Sequence, residues 1–334
     1  MNNVIVIAEA GPNHNGKIRL AYKLVDIAKK CGANFVKFQT SVPENHISKF
    51  AKKAVYQLKN TSRNKSQLEM SKKMTLSFND FKLLNKYCKR KKINFLSTPF
   101  DQESIDFLKK FKMKYYKIPS GEITNLPYLI KIAKLRKKIL LSTGMSNINE
   151  ISKAINILNL NGTPKKNITV LQCNTEYPTP LKDVNLKAMK MMKKRFGVNV
   201  GYSDHTLGIE ASLAAVALGA KVIEKHFTLN KNLPGPDHKA SITEKELKNL
   251  VTGIRKIELA LGKDKKYPTE SEKKNLFIAR NSIVASKDIK KGQKFTKENL
   301  AIKRPGYGIS PMKYFKILGK KAKKNFIPDE LVKI

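Results

Sequence analysis

Two lysines, two histidines and several carboxylates sit where short apolar runs of this chain end, and that placement is its first sign of chemistry. Lys37 and Gln39 close one such run and, two residues apart, point the same way in an extended strand. Lys117 closes another. A lysine facing the interior from a mostly apolar strand is costly unless it meets an anion. Lys37 and Lys117, with hydroxyls from Thr98, Ser120, Ser142 and Thr143, describe a site for a ligand that carries phosphate and carboxylate. The turns at Gly121 and Gly144 would turn backbone N–H groups toward the same anion. His205 and His226 are two of only five histidines and close consecutive runs, the second sharing a side with Glu224. Two imidazoles with carboxylates nearby suit a divalent transition metal such as manganese. No cysteine cluster stands near them, so a closed structural zinc site is not expected. Glu9, Glu122, Glu224 and Asp237 lie near the same mouth, and any of them could carry a proton if its neighbours tuned it. Cys173 has no histidine base beside it in the sequence and reads as packing.

The elements that must position these groups can be read from periodicity. Strands are expected near Val4–Ala8, Phe35–Phe38, Asn94–Ser97, Tyr115–Ile118, Lys138–Ser142, Thr169–Gln172, Asn199–Tyr202 and Val222–Glu224. Helical spacing fills most of the gaps: Arg19–Cys31 places Leu20, Leu24, Ile27 and Ala28 on one face, and Ser77–Lys91 starts at an N-cap serine with Asp80 three residues on. Ile148–Leu158 and Glu210–Leu218 follow. Strands separated by helices imply parallel βαβ units, and eight of them imply a closed (β/α)8 barrel, whose chemistry belongs at the C-terminal strand ends. All eight expected strands end in polar residues. The polar stretch from about Thr40 to Met74 is too long for an idle connection and reads as an insertion over the barrel mouth. After Lys263 the pattern changes to a charged linker and then short elements, among them Ser282–Ala285 and Leu300–Lys303.

Length and composition set the frame. The 334 residues, 41% hydrophobic, can bury a sizeable core and suggest one large and one small domain. There is no run of about 18 apolar residues, so no membrane span is expected. Met1–Ala10 lacks a basic start and a small-residue cleavage site, and reads as a first strand and not as a signal peptide. Cys31, Cys88 and Cys173 are far apart, without a CxxC, which fits a reduced, cytoplasmic setting. The formal net charge is +41, yet only eight of the 67 basic residues are arginine, and the lysines are spread along the polar faces of helical stretches. No arginine-rich arm or zinc-finger spacing accompanies them, so specific nucleic-acid binding is not expected. A field of this sign would draw in anionic substrates and bind polyanions with strong salt dependence.

The ordered series of motifs resembles the sialic acid synthases. It runs Ala8-Glu9-Ala10-Gly11 with Asn13-His14-Asn15-Gly16, Val36-Lys37-Phe38-Gln39-Thr40, Ser97-Thr98-Pro99-Phe100, Lys117-Ile118-Pro119-Ser120-Gly121-Glu122 and Ser142-Thr143-Gly144-Met145. It continues with Glu176-Tyr177-Pro178-Thr179-Pro180, Tyr202-Ser203-Asp204-His205-Thr206, Glu224-Lys225-His226-Phe227-Thr228 and Gly235-Pro236-Asp237-His238. Lys303-Arg304-Pro305-Gly306 resembles the signature of that family's C-terminal antifreeze-like (SAF) domain. The resemblance implies a barrel over 1–263, a linker over 264–280 and a SAF domain over 281–334. It implies condensation of phosphoenolpyruvate with an N-acetylated amino sugar: C3 attacks the sugar aldehyde, water attacks C2, and phosphate leaves by C–O cleavage. His205 and His226 would hold the metal, Mn2+ first, with Mg2+ and Co2+ as substitutes. Lys37, Thr98, Lys117, Ser120, Thr175, Tyr177 and Ser203 would bind phosphoenolpyruvate; other members carry asparagine at the Thr175 position. Glu9 and Glu122 would handle protons, and Gln39, Glu224 and Asp237 would contact the sugar. Arg304 would reach in from a partner's SAF domain and bond the sugar's N-acetyl group, in a domain-swapped homodimer. Tyr56-Gln57 and Gln67-Leu68-Glu69-Met70 resemble the N-acetylneuraminate and legionaminate branches more than the pseudaminate one. N-acetylneuraminate, from N-acetylmannosamine, is the expected product. The alternative is N,N'-diacetyllegionaminate, from 2,4-diacetamido-2,4,6-trideoxymannose. A nucleic-acid-binding protein is the reading from another class.

Overall fold

The computed structural model describes residues 3–61 and 66–334; residues 62–65 of the expected insertion lie outside the described residues. Two compact units divide the chain, Met1–Gly262 and Lys263–Ile334. The larger holds β1 (Ile5–Gly11), β2 (Phe35–Thr40), β3 (Asn94–Pro99), β4 (Tyr115–Ile118), β5 (Lys138–Ser142), β6 (Ile168–Cys173), β7 (Asn199–Asp204) and β8 (Val222–His226). Their order is β3-β2-β1-β8-β7-β6-β5-β4, every ladder is parallel, and β3 and β4 lie against one another to close the ring. Helices Ile18–Cys31, Phe78–Arg90, Gln102–Lys109, Leu126–Ala133, Ile148–Leu160, Lys187–Phe196, Glu210–Ala217 and Glu244–Ala260 follow the strands in turn. This is the expected (β/α)8 barrel.

Local chemistry accounts for the elements. Ser77 caps Phe78–Arg90: its hydroxyl accepts from the Asp80 N–H at 3.1 Å, and the Asp80 carboxylate accepts from the Ser77 N–H at 3.0 Å. That helix buries Phe81, Leu84 and Cys88 against the barrel. Ile18–Cys31 buries Ala21, Leu24, Val25, Ala28 and Cys31. Several strands run beyond the limits expected from the sequence, β7 to Asp204 and β8 to His226. Apolar character stops before the ladder does, because neighbouring strands satisfy the backbone whatever the side chain.

Register decides which side chains meet. Glu9 is the ladder partner of Lys37 on one side and of His226 on the other, and Ser203 pairs with Glu224. Ladder partners share a face, so all of these project into the barrel. Asp204 and Lys225, also partners, project outward. The insertion folds into the short helices Val55–Asn60 and Gln67–Met74, the second capped by Ser66 and Glu69. Among the described residues, no helix is long and apolar enough to cross a membrane.

The smaller unit pairs β9 (Ser282–Ala285) and β10 (Leu300–Lys303) antiparallel over a core that includes Ile283, Ile289, Phe295, Leu300, Phe326 and Val332. The stretch 264–280, expected as a linker, contains helix Glu270–Ala279, none of whose side chains is buried. Thr269 and Glu272 cap it, the carboxylate accepting from the Thr269 N–H at 2.8 Å, which is why a charged segment rich in good helix formers is ordered as a helix.

Candidate active site

A cavity of about 660 Å³ opens at the C-terminal strand ends of the barrel. Glu9, Lys37, Gln39, Thr98, Lys117, Ser120 and Ser203 line it, as do Thr175, Tyr177, His205, Glu224, His226 and Asp237. One expected site residue of the barrel stands off this wall, and another lies in the smaller unit. Glu122 lies outside the cavity wall, half-buried, where its carboxylate accepts from Asn125 Nδ2 at 2.6 Å. Arg304 belongs to the smaller unit, exposed at the end of β10. Thr143 is diverted as well: its hydroxyl donates to the Leu171 carbonyl at 2.9 Å.

The anionic and cationic groups on the wall form one network. Lys37 Nζ lies 3.0 Å from Glu9 and 3.5 Å from Glu224, and donates to Thr98 Oγ1 at 2.9 Å. Lys117 Nζ meets Glu224 at 2.8 Å, and Ser203 donates to the same oxygen at 3.2 Å. Gln39 Nε2 donates to Glu9 at 3.3 Å. The two carboxyls are thereby driven apart. Burial, reinforced by the Glu224 charge, pushes Glu9 up to about 7, and Lys37 and Lys117 do not offset it. Burial acts on Glu224 too, but Lys117 and Lys37 together overcome it and hold Glu224 below the usual carboxylate range. With Glu224 held ionised and Glu9 pushed up to about 7, two ammonium groups face less than two full negative charges. The floor keeps a net positive charge, fit for an anion in a poorly solvated site. Gly144 positions one of these hydroxyls: its N–H donates to Ser120 Oγ at 3.0 Å, and a Cβ at this position would stand 2.7 Å from Thr175 Cγ2 and 2.8 Å from Ser120 Oγ.

His205 and His226 face one another with ring centroids 5.4 Å apart. His205 Nδ1 donates to the Asn174 carbonyl, which leaves the Nε2 lone pair to accept from the Tyr177 hydroxyl at 2.9 Å. Burial pulls His205 down to about 4 and His226 well below the ordinary histidine value, so both rings are neutral, the form that binds metals. His226 Nδ1 is buried without a hydrogen-bond partner, 3.8 Å from the Asp237 carboxylate. An orphaned imidazole nitrogen, a second neutral imidazole and a carboxylate fit a divalent cation. Among the described residues, no three His, Cys, Asp or Glu side chains converge closely enough to hold an ion unaided. Such an ion would complete its shell with water or substrate, and at His205 Nε2 it would displace the Tyr177 hydroxyl.

The structure brings Cys173 to the wall, with Sγ 3.8 Å from His205 Nδ1, a neighbour that the sequence did not reveal. That nitrogen already spends its proton on Asn174, and burial pushes the thiol up to about 11, so Cys173 is not an activated nucleophile. Further wall residues come from the insertion, whose Tyr56 and Met70 the sequence motifs already single out. Tyr56 stacks on Tyr177 at 5.1 Å between centroids, and Tyr177 stacks on His205 at 4.0 Å. Met70 and Met74 also line the cavity. For Met74 the length of the insertion was the only signal.

Comparison with known proteins agrees with this geometry. The model of the NeuB family matches residues 24–266, and that of the SAF domain matches residues 280–334. The chain is 57% identical over 333 residues, 100% of each chain, to the N,N'-diacetyllegionaminic acid synthase of Campylobacter jejuni. It is 44% identical to the N,N'-diacetyllegionaminic acid synthase of Legionella pneumophila, over 96% of this chain and 90% of that one. The crystal structure of the N-acetylneuraminic acid (sialic acid) synthetase of Leptospira borgpetersenii superposes with a TM-score of 0.72 at 35% identity, covering 82% of this chain and 90% of that one.

Proposed function

The chain belongs to the NeuB family and carries a SAF domain, and from that premise we propose that it is an N,N'-diacetyllegionaminate synthase. In general terms it is an enzyme of the nonulosonic acid synthase type, one that joins phosphoenolpyruvate to an acetylated amino sugar through a new C–C bond. The sugar we assign is 2,4-diacetamido-2,4,6-trideoxymannose. The observation that carries this choice is 57% identity over both whole chains to a synthase of that product. It reverses the order expected from the sequence, where N-acetylneuraminate came first. The motifs at Tyr56-Gln57 and Gln67–Met70 are compatible with either branch, and discrimination between such sugars rests on few contacts.

In this reading Lys37 and Lys117 bind the carboxylate and phosphate of phosphoenolpyruvate, assisted by Thr98, Ser120, Ser203 and Thr175. Glu224, held ionised by both lysines, orders them when no substrate is bound. Glu9, pushed up to about 7 by burial, can carry a proton at the buried floor and would give it to the sugar oxygen that becomes a hydroxyl as C3 of phosphoenolpyruvate bonds to the aldehyde carbon. Glu122 stands off the wall, so Glu9 is the carboxyl assigned to this transfer. His205, His226 and Asp237 would hold a divalent cation, Mn2+ by preference. When bound, that ion supplies Lewis-acid polarisation of the aldehyde. Tyr177 and Gln39 bound the sugar end, and Arg304 of a second copy would complete it in a homodimer.

The test is phosphate release from phosphoenolpyruvate with Mn2+ and either sugar, with His226→Ala as control. A kcat/KM at least about tenfold higher for the diacetamido sugar is expected. Preference for N-acetylmannosamine by that margin overturns the sugar assignment, and no release with either sugar overturns the enzyme reading.

A further inference from the structure

His14 takes no part in the network described above, yet it lines the same cavity while only 2% exposed. Its ring is oriented by one bond: the Gly16 N–H donates to Nδ1 at 3.1 Å. An imidazole nitrogen that accepts carries no proton, so in the neutral ring the hydrogen is on Nε2. Burial pulls His14 down to about 4, which favours the neutral ring. Among the described residues Nε2 has no hydrogen-bond partner, and it is not sealed in the interior as His226 Nδ1 is. A fixed N–H donor thus stands at the cavity wall with nothing to receive it.

Its place in the cavity narrows the ligand. The turn 13–16 is seated beneath the insertion: Gly16 has φ +68°, and a Cβ there would run into the Lys73 carbonyl. Met70, Met74 and Thr75 of the insertion share this part of the wall. The anion site belongs to the ends of β2 and β4, where ammonium groups already serve phosphate and carboxylate. A neutral donor among thioethers suits a neutral oxygen, and an amide carbonyl is the strongest neutral acceptor on an acetylated sugar.

We propose that His14 Nε2–H donates to an acetamido carbonyl of the sugar substrate, which makes it a residue of sugar recognition. This rests on the reading of the cavity as that of a synthase for acetylated sugars. Two substitutions separate donor from scaffold. His14→Asn can keep the acceptor for the Gly16 N–H at Oδ1 and loses the donor at the Nε2 position. His14→Gln restores an N–H at the Nε2 position and loses the Nδ1 acceptor. In His14→Asn the KM for the sugar should rise about 3–10-fold, the worth of one net hydrogen bond, with the KM for phosphoenolpyruvate unchanged. His14→Gln should recover most of that rise. A sugar KM within twofold of wild type in His14→Asn, a change confined to phosphoenolpyruvate, or equal losses in both variants would overturn the proposal. If the wild type turns over only N-acetylmannosamine, the choice of product fails, and the same KM comparison, run with that sugar, still decides the role of His14.

Discussion

Replacing Lys225 by methionine should cost the barrel about 3 kcal/mol, the lower end of the range for breaking a buried ion pair. Lys225 Nζ lies 2.9 Å from Asp204 Oδ2, with the side chains 1% and 0% exposed. Methionine keeps the bulk and removes a charge-assisted bond worth about 1.5–3 kcal/mol, together with a bond of about 1 kcal/mol to the Thr206 carbonyl. The lower end applies because Asp204 is not left bare. It still accepts from the Thr206 N–H at 2.8 Å, the Thr206 hydroxyl at 2.7 Å, Ser212 at 2.6 Å and Tyr202 at 3.2 Å. Asp204→Asn should cost about 2 kcal/mol: burial already pulls the Lys225 ammonium down, and without its partner it can shed the proton instead of remaining a bare charge. In the double variant the two costs should fall short of their sum by about 2 kcal/mol. The chain folds as two units, so a single unfolding curve would mix them; hydrogen exchange on peptides spanning 199–228 reads the barrel alone. A cost under about 1 kcal/mol for Lys225→Met, or a coupling under about 0.5 kcal/mol, would refute the reasoning.

Acid should weaken the barrel from pH 6.5 downward. His14 and His238 are both held by burial at about 4 against an ordinary 6.5. The unfolded chain therefore takes up protons before the native one does, and stability present above pH 6.5 is lost as pH falls toward 4. Melting midpoints across that window should fall less steeply in His238→Asn, and identical slopes would contradict the assignment. Gly144→Ala should raise the KM for phosphoenolpyruvate about tenfold, because the added methyl pushes on Ser120 and Thr175; a KM within twofold of wild type would place the anion elsewhere.

The fold was legible because strand and helix periods are local. β4, β5, β9 and β10 lie where the sequence placed them, and alternation put Lys37 with Gln39 and Glu224 with His226 on the correct face. The same rule, applied to whole strand ends, went too far. Ser203-Asp204-His205-Thr206 reads as four polar residues at a mouth, yet Asp204 and Thr206 belong to a network on the outer face of the sheet. Ser97 likewise faces outward, sharing a hydrogen bond of 2.7 Å with Thr40. Glu122 follows a strand by only four residues, but the turn Ser120–Glu122 carries it off the wall. Contacts across the barrel, such as Cys173 with His205 or Lys117 with Glu224, depend on register, which no local pattern encodes. The sugar was the least legible feature, since acetylated sugars differ by groups that a few insertion residues touch.

Asp204 and Lys225 face each other in the ladder of β7 and β8, one residue from His205 and on either side flanked by Glu224 and His226. Sliding β8 by one residue would turn Lys225 into the cavity and press Glu224 and His226 into the apolar layer under the helices. Such a slip would also part Asp204 from its counterion. The pair therefore favours the native register of the two strands over that slip. A parallel sheet joins segments far apart in sequence and forms slowly, with ample opportunity for misalignment. The register that presents the cavity-facing groups is thus favoured by two charges on the opposite face of the same strands.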